Sequence, residues 1–157
     1  MSRRRIIVPQ ALEAVYHSWH FAPAMISNGM VYCSGIIGTS VDGERPGKAA
    51  LEGARATTSR SDAELAALQA VRDPEAQFET AFEALAAILA EAGADLSDLV
   101  EITTYHVDIG RHMPTFMKVR DRYLSEPWPA WTAIGVAELV VPGGLVEIRA
   151  IAALPDR

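Results

Sequence analysis

Between positions 74 and 92 the apolar residues Phe78, Ala81, Phe82, Leu85, Ile88, Leu89 and Ala92 recur every three or four places, the spacing of one helix face. Asp73-Pro74-Glu75 supplies a start: the carboxylate can accept from free backbone N–H groups, proline suits the first turn, and Glu75 complements the positive helix end. Gly93 supplies the stop. Elsewhere the pattern favours strands. Residues 30–37 are short, β-branched and aromatic, and Asn28-Gly29 before them is a hairpin turn signal, so Ala24–Ser27 is expected to pair with Met30–Ile36. Residues 100–107, with Ile102, Thr103, Thr104 and Tyr105, read as another strand. A second helix is expected to start at Pro114, to bury Phe116, Met117, Tyr123 and Leu124, and to end before Pro127 and Pro129.

Two further strands, 130–137 and 145–154, are joined by a turn containing Pro142-Gly143-Gly144. In the last strand Val146, Ile148, Ala150 and Ala152 form an apolar face, while Leu145, Glu147, Arg149 and Ile151 form the other. Two charges on a half-buried face call for an explanation. The order of elements gives an α+β fold, a mixed β-sheet with two main helices packed on one face, in a single domain spanning 1–157. Residues 38–72 lose any period, carrying Asp42-Gly43, Pro46-Gly47 and an alanine-rich piece at 63–71. This insertion-like segment reads either as a functional loop or as a tolerated surface insertion.

Half of the 157 residues are hydrophobic and 22% are charged, which is globular composition. The formal charge of -6 opposes nucleic-acid binding, and the run Arg3-Arg4-Arg5 is expected to be a solvated tail. The apolar stretch after it is broken by Pro9, Gln10 and Glu13, which argues against a secretory signal. No uncharged run approaches the roughly 20 residues needed to cross a bilayer. Cys33 is the single cysteine, fitting a reducing cytoplasm, and within a strand it reads as a buried, inert hydrophobe. His17, His106 and His112 show no metal-ligand spacing, so neither a metal nor a cofactor is expected. Asp108 and His106 could meet at a strand end, and Trp19 and Trp128 read as packing anchors.

Asn28-Gly29-Met30-Val31-Tyr32-Cys33-Ser34-Gly35, the segment Asp73-Pro74-Glu75-Ala76-Gln77-Phe78, Ala92-Gly93 with Asp98-Leu99-Val100, and Pro129-Ala130-Trp131-Thr132 followed by Leu145-Val146-Glu147-Ile148 stand in a particular order. Together they resemble the YjgF/Rid (reactive intermediate deaminase) family over most of the chain. The resemblance implies a homotrimer with a barrel-like centre and a small-molecule site in each cleft between subunits. It also implies, for arginine-bearing members, hydrolysis of enamines and imines such as 2-aminoacrylate to a keto acid and ammonia. Endoribonuclease activity is ascribed to some relatives, and the acidic balance here argues against it. The family's water-positioning glutamate corresponds to Glu147, and its Ser-Gly element to Ser34 and Gly35. The arginine that clamps a substrate carboxylate is replaced by Trp131, the family tyrosine by Phe21, and the proline before it by His20.

Each position carries two readings. Trp131 keeps one N–H donor and an apolar face, so it either stacks on a ligand or packs between subunits. Glu147 is the catalytic candidate, since desolvation on a buried strand moves a carboxyl toward acid/base range; its alternative is an ion pair with Arg149, about 6.5–7 Å away on the same face. Arg149 itself is a candidate substitute for the missing clamp. His20 could polarise a carbonyl or simply bond locally. The function implied is a Rid-like hydrolase of a small imine, enamine or related C–N compound, weak on 2-aminoacrylate; the alternative is a non-catalytic small-molecule-binding trimer.

Overall fold

A computed structural model describes residues 3–40, 42–44 and 69–156. The chain opens with β1 (Arg4–Ile7), a 3-10 turn at Gln10–Leu12 and α1 (Glu13–Trp19). The hairpin β2 (Ala24–Ser27) and β3 (Met30–Ile36) follows. Asn28 and Gly29 at its tip both have positive φ, 50° and 75°, the geometry that matches the natural strand twist. β4 (Thr39–Ser40) and β5 (Gln69–Ala70) pair antiparallel. Most of the insertion-like segment 38–72 lies outside the described residues, and this two-residue ladder marks where it leaves and returns. Then come α2 (Pro74–Ala92), β6 (Leu99–Val107), α3 (Ile109–Tyr123), β7 (Ala130–Val136) and β8 (Val146–Ala153).

Six strands form one mixed sheet in the order β1-β2-β3-β8-β6-β7. Only β6 and β7 run parallel, as they must when α3 carries the chain from one to the other. The apolar face expected for α2 is buried in full, under Asp73, whose carboxylate accepts from Ala76 N–H at 2.9 Å. Phe78, Phe82 and Phe116 meet Val31, Ile102, Val146 and Ile148 in one core beneath the two long helices. That core uses one face of the sheet.

Three expectations change. The arginine run is no tail: Arg4 and Arg5 belong to β1 and pair with Ser27 and Ile26, because the following Ile6 and Ile7 have the pattern of an edge strand. The second helix begins at Ile109 and contains Pro114. The proline forfeits one backbone bond, which the burial of Phe116 and Val119 outweighs. Its buried stripe takes Val119 and Arg120 rather than Met117, following the helical period from Phe116.

Candidate functional site

The site is built where β3 and β8 lose register. Cys33 pairs with Ala150 and Ile36 with Ile148, so β3 spends two residues, Ser34 and Gly35, against one of β8. Such a bulge re-aims side chains. Glu147 lies on the helix-free face of the sheet, opposite Tyr105, and its side chain folds across Gly35. A Cβ at position 35 would come within 2.6 Å of the Glu147 carboxyl carbon, so glycine is the residue that lets the carboxyl group lie there. Ser34 is held from both sides of its backbone: its N–H donates to Pro23 O at 2.9 Å and its hydroxyl donates to Ala22 O at 2.6 Å.

Ser34, Gly35 and Glu147 line a cleft of about 990 Å³. Its other walls come from distant parts of the chain: Leu12, Val15 and Trp19 of the first helical segment, Phe21, and Val140 to Gly143 ahead of β8. His20 adopts a left-handed conformation, φ 56°, which ends α1 and brings Trp19 and Phe21 on either side of it to the cleft. The far wall is fixed by Gln77, fully buried on α2. Its Nε2 donates to Val71 O at 2.9 Å and to Gly143 O at 3.0 Å, and its Oε1 accepts from Leu145 N–H at 2.7 Å.

Burial raises the Glu147 carboxyl above the ordinary carboxylate range. Glu147 and Arg72 are the charged side chains lining the cleft among the described residues, and Arg72 is engaged with Glu44. A carboxyl group so placed can accept a proton from water and return it to a departing nitrogen. The described residues contain no cluster of His, Cys, Asp and Glu able to hold a metal ion, and no helix among them is long and apolar enough to cross a membrane.

The sequence profile of the Endoribonuclease L-PSP family matches residues 11–154. The chain belongs to this YjgF/Rid family. The RutC family protein YjgH of Escherichia coli K12 is 27% identical over 158 residues, covering all of both chains. A solved structure of protein YjgH superposes with a TM-score of 0.75 at 25% identity, covering 99% of this chain and 100% of that one. RidA from the Antarctic bacterium Psychrobacter sp. PAMC 21119 gives a TM-score of 0.62 at 28% identity, covering 85% of this chain and 87% of that one.

Of the positions that correspond to the Rid site, Phe21, Ser34, Gly35 and Glu147 share the cleft. Trp131 does not line it within one chain. The parallel register pairs Trp131 with buried Ile102, which turns the indole toward the helices, on the opposite face from Glu147. There its N–H donates to Thr104 Oγ1 at 2.8 Å, its ring lies 6.1 Å from Phe116, and the Arg120 guanidinium sits 4.7 Å from its centroid. Trp128 covers the same guanidinium at 5.0 Å. Arg149 shares the Glu147 face but is exposed and outside the cleft lining, and His20 is exposed beside it. His106 lies 2.7 Å from Thr104 Oγ1, with Nδ1 unpartnered, so its partner is Thr104 rather than Asp108. Cys33 is buried, with its thiol pushed up to about 11.

Sequence reasoning missed Trp19 as a wall of the cleft, and with it Leu12 and Val15. The available signal was the phase of the short stretch 12–19, where Leu12, Val15 and Trp19 recur at helical spacing.

Proposed function

We propose that this chain is a Rid-like hydrolase of small imines, enamines or related C–N compounds, working as a homotrimer with its sites in clefts between subunits. The observation that carries the reading is the Glu147 carboxyl group, laid across Gly35 in a half-buried cleft and raised in pKa by desolvation. In its ionised form Glu147 takes a proton from water as the oxygen adds to the carbon of the protonated C=N group, giving a neutral carbinolamine. The protonated carboxyl then returns that proton to nitrogen; as the C–N bond breaks, the hydroxyl gives its proton to the carboxylate, which passes it to the departing ammonia, so a carbonyl compound and ammonium leave. Water supplies the oxygen and two hydrogens, so no other reactant is needed. Phe21 shapes the ligand's surroundings, and Ser34, its hydroxyl committed to Ala22, holds the strand in place.

Without an arginine at position 131, activity on 2-aminoacrylate is expected to be weak. Ammonia release from 2-aminoacrylate and iminoglutarate by wild type and Glu147→Ala tests the reading. A loss of 100-fold or more on removing the carboxylate supports it, consistent with the usual contribution of about 10²–10⁴ from general acid–base catalysis. Equal rates would end it. A second reading, binding without turnover, draws on the packing of Trp131 into the helix layer; thermal stabilisation by imines with no ammonia released would favour it. An endoribonuclease role is opposed by the net charge of -6.

A further inference from the structure

Two aromatic side chains of the cleft lining are exposed, Trp19 by 50% and Phe21 by 40%. Val140, also in the lining, is 70% exposed. Large apolar side chains partly exposed around one concavity mark a surface that gains by being covered. The same lining is apolar elsewhere too, through Leu12, Val15 and Ile88.

Charge sets a second condition. Glu147 is the acid within the cleft, and the Arg72 guanidinium that shares the lining already pairs with Glu44. A ligand carboxylate entering beside Glu147 would therefore meet like charge, and the one cation that this chain adds to the described lining, Arg72, is already shared with Glu44. A cation meets the reverse: a carboxylate partner and aromatic faces in one lining, each of which attracts positive charge. Trp131 cannot supply the missing clamp, because its indole N–H is spent on Thr104 on the other face of the sheet. Arg149 is another candidate clamp, on the same face of β8 as Glu147 but outside the cleft lining.

Building on the hydrolase reading, we infer that the cleft selects C–N compounds with an apolar or aromatic body and a protonated nitrogen, such as aryl iminium ions, over imines that carry a carboxylate. The nitrogen cation sits at Glu147, and the ring lies between Trp19 and Phe21.

Benzamidine tests this, being a stable, flat, cationic mimic of an aryl iminium. Benzoate has the same ring and the opposite charge, and benzamide is neutral. Calorimetric titration of wild type should rank benzamidine at least tenfold tighter than benzoate, with benzamide between. Glu147→Gln should abolish that preference while remaining folded by circular dichroism, and Phe21→Ala should weaken all three ligands together. Benzoate binding as tightly as benzamidine would overturn the inference, above all if Arg149→Ala removed it, because Arg149 would then be the clamp. Benzamidine affinity unchanged in both Glu147→Gln and Phe21→Ala would also overturn it. The two readings fail separately. Glu147-dependent benzamidine binding with no imine hydrolysed defeats the hydrolase reading alone, whereas Glu147-dependent turnover of 2-aminoacrylate with no charge preference defeats the ligand class alone.

Discussion

The two faces of the sheet put polar groups to opposite use. On the helix-covered face Trp131, Thr104 and His106 form a chain of hydrogen bonds, with Arg120 stacked between two indoles, and only His106 Nδ1 and Arg120 Nε of that group are buried without a partner among the described residues. On the other face Glu147 is half-buried and its carboxyl rests over a glycine. The first arrangement spends polar groups on holding one packing; the second keeps a carboxyl group uncommitted at raised pKa. Residues from one strand pair, β6 and β8, serve both because strand alternation sends Thr104 and Glu147 to opposite sides.

The sharpest way to break this contrast is Trp131→Ala. It should cost about 3 kcal/mol, the low end for a large aromatic because the indole is only partly buried against the core, and leave KM for an imine nearly unchanged in the protein that remains folded. Urea titration with steady-state kinetics checks both; unchanged stability with lost activity would move Trp131 to the site. Gln77→Leu comes next. It strands Leu145 N–H and two carbonyls, so about 2–3 kcal/mol is expected from unpaired buried groups. KM should rise as well, because the wall at Gly143 loses its tether. Gly35→Ala gives the mirror image of Trp131→Ala. The new Cβ displaces the flexible end of Glu147 rather than backbone, so thermal stability should hold while kcat falls by about tenfold or more.

The smallest effect is a pH response on the helix face. Burial lowers the His106 pKa below its ordinary value of 6.5. A depressed histidine stabilises the fold above the unfolded pKa, and that stability is lost as pH falls toward the folded pKa. Wild type should therefore lose melting temperature between pH 7 and 5 faster than His106→Leu. Parallel curves would show that His106 titrates alike in both states.

How much of this was legible in the sequence follows the range of each signal. α2 and the β2–β3 hairpin were readable because a helical period, a capping aspartate and Asn28-Gly29 act within a few residues. Glu147 and Gly35 were readable as candidates, and their closeness follows from the bulge between β3 and β8. The direction of Trp131 was not readable. Alternation shows that neighbours along a strand diverge, but only the register with Ile102 decides which of them meets the helices. The short elements β1 and α1 were also missed, and with them Trp19, since four to seven residues carry too little pattern to stand against a basic run. The cleft walls come from residues far apart in the chain, and such meetings are made by folding.

The most direct test of an uncommitted, acid–base carboxyl group at Glu147 is the pH dependence of kcat/KM for imine hydrolysis, measured for wild type and Glu147→Gln. Because the free carboxylate is the base, the wild-type rate should climb with pH through an apparent pKa above the usual carboxylate range. The variant should lack that limb and run at least 100-fold slower. A variant that retained both the rate and the limb would contradict the account.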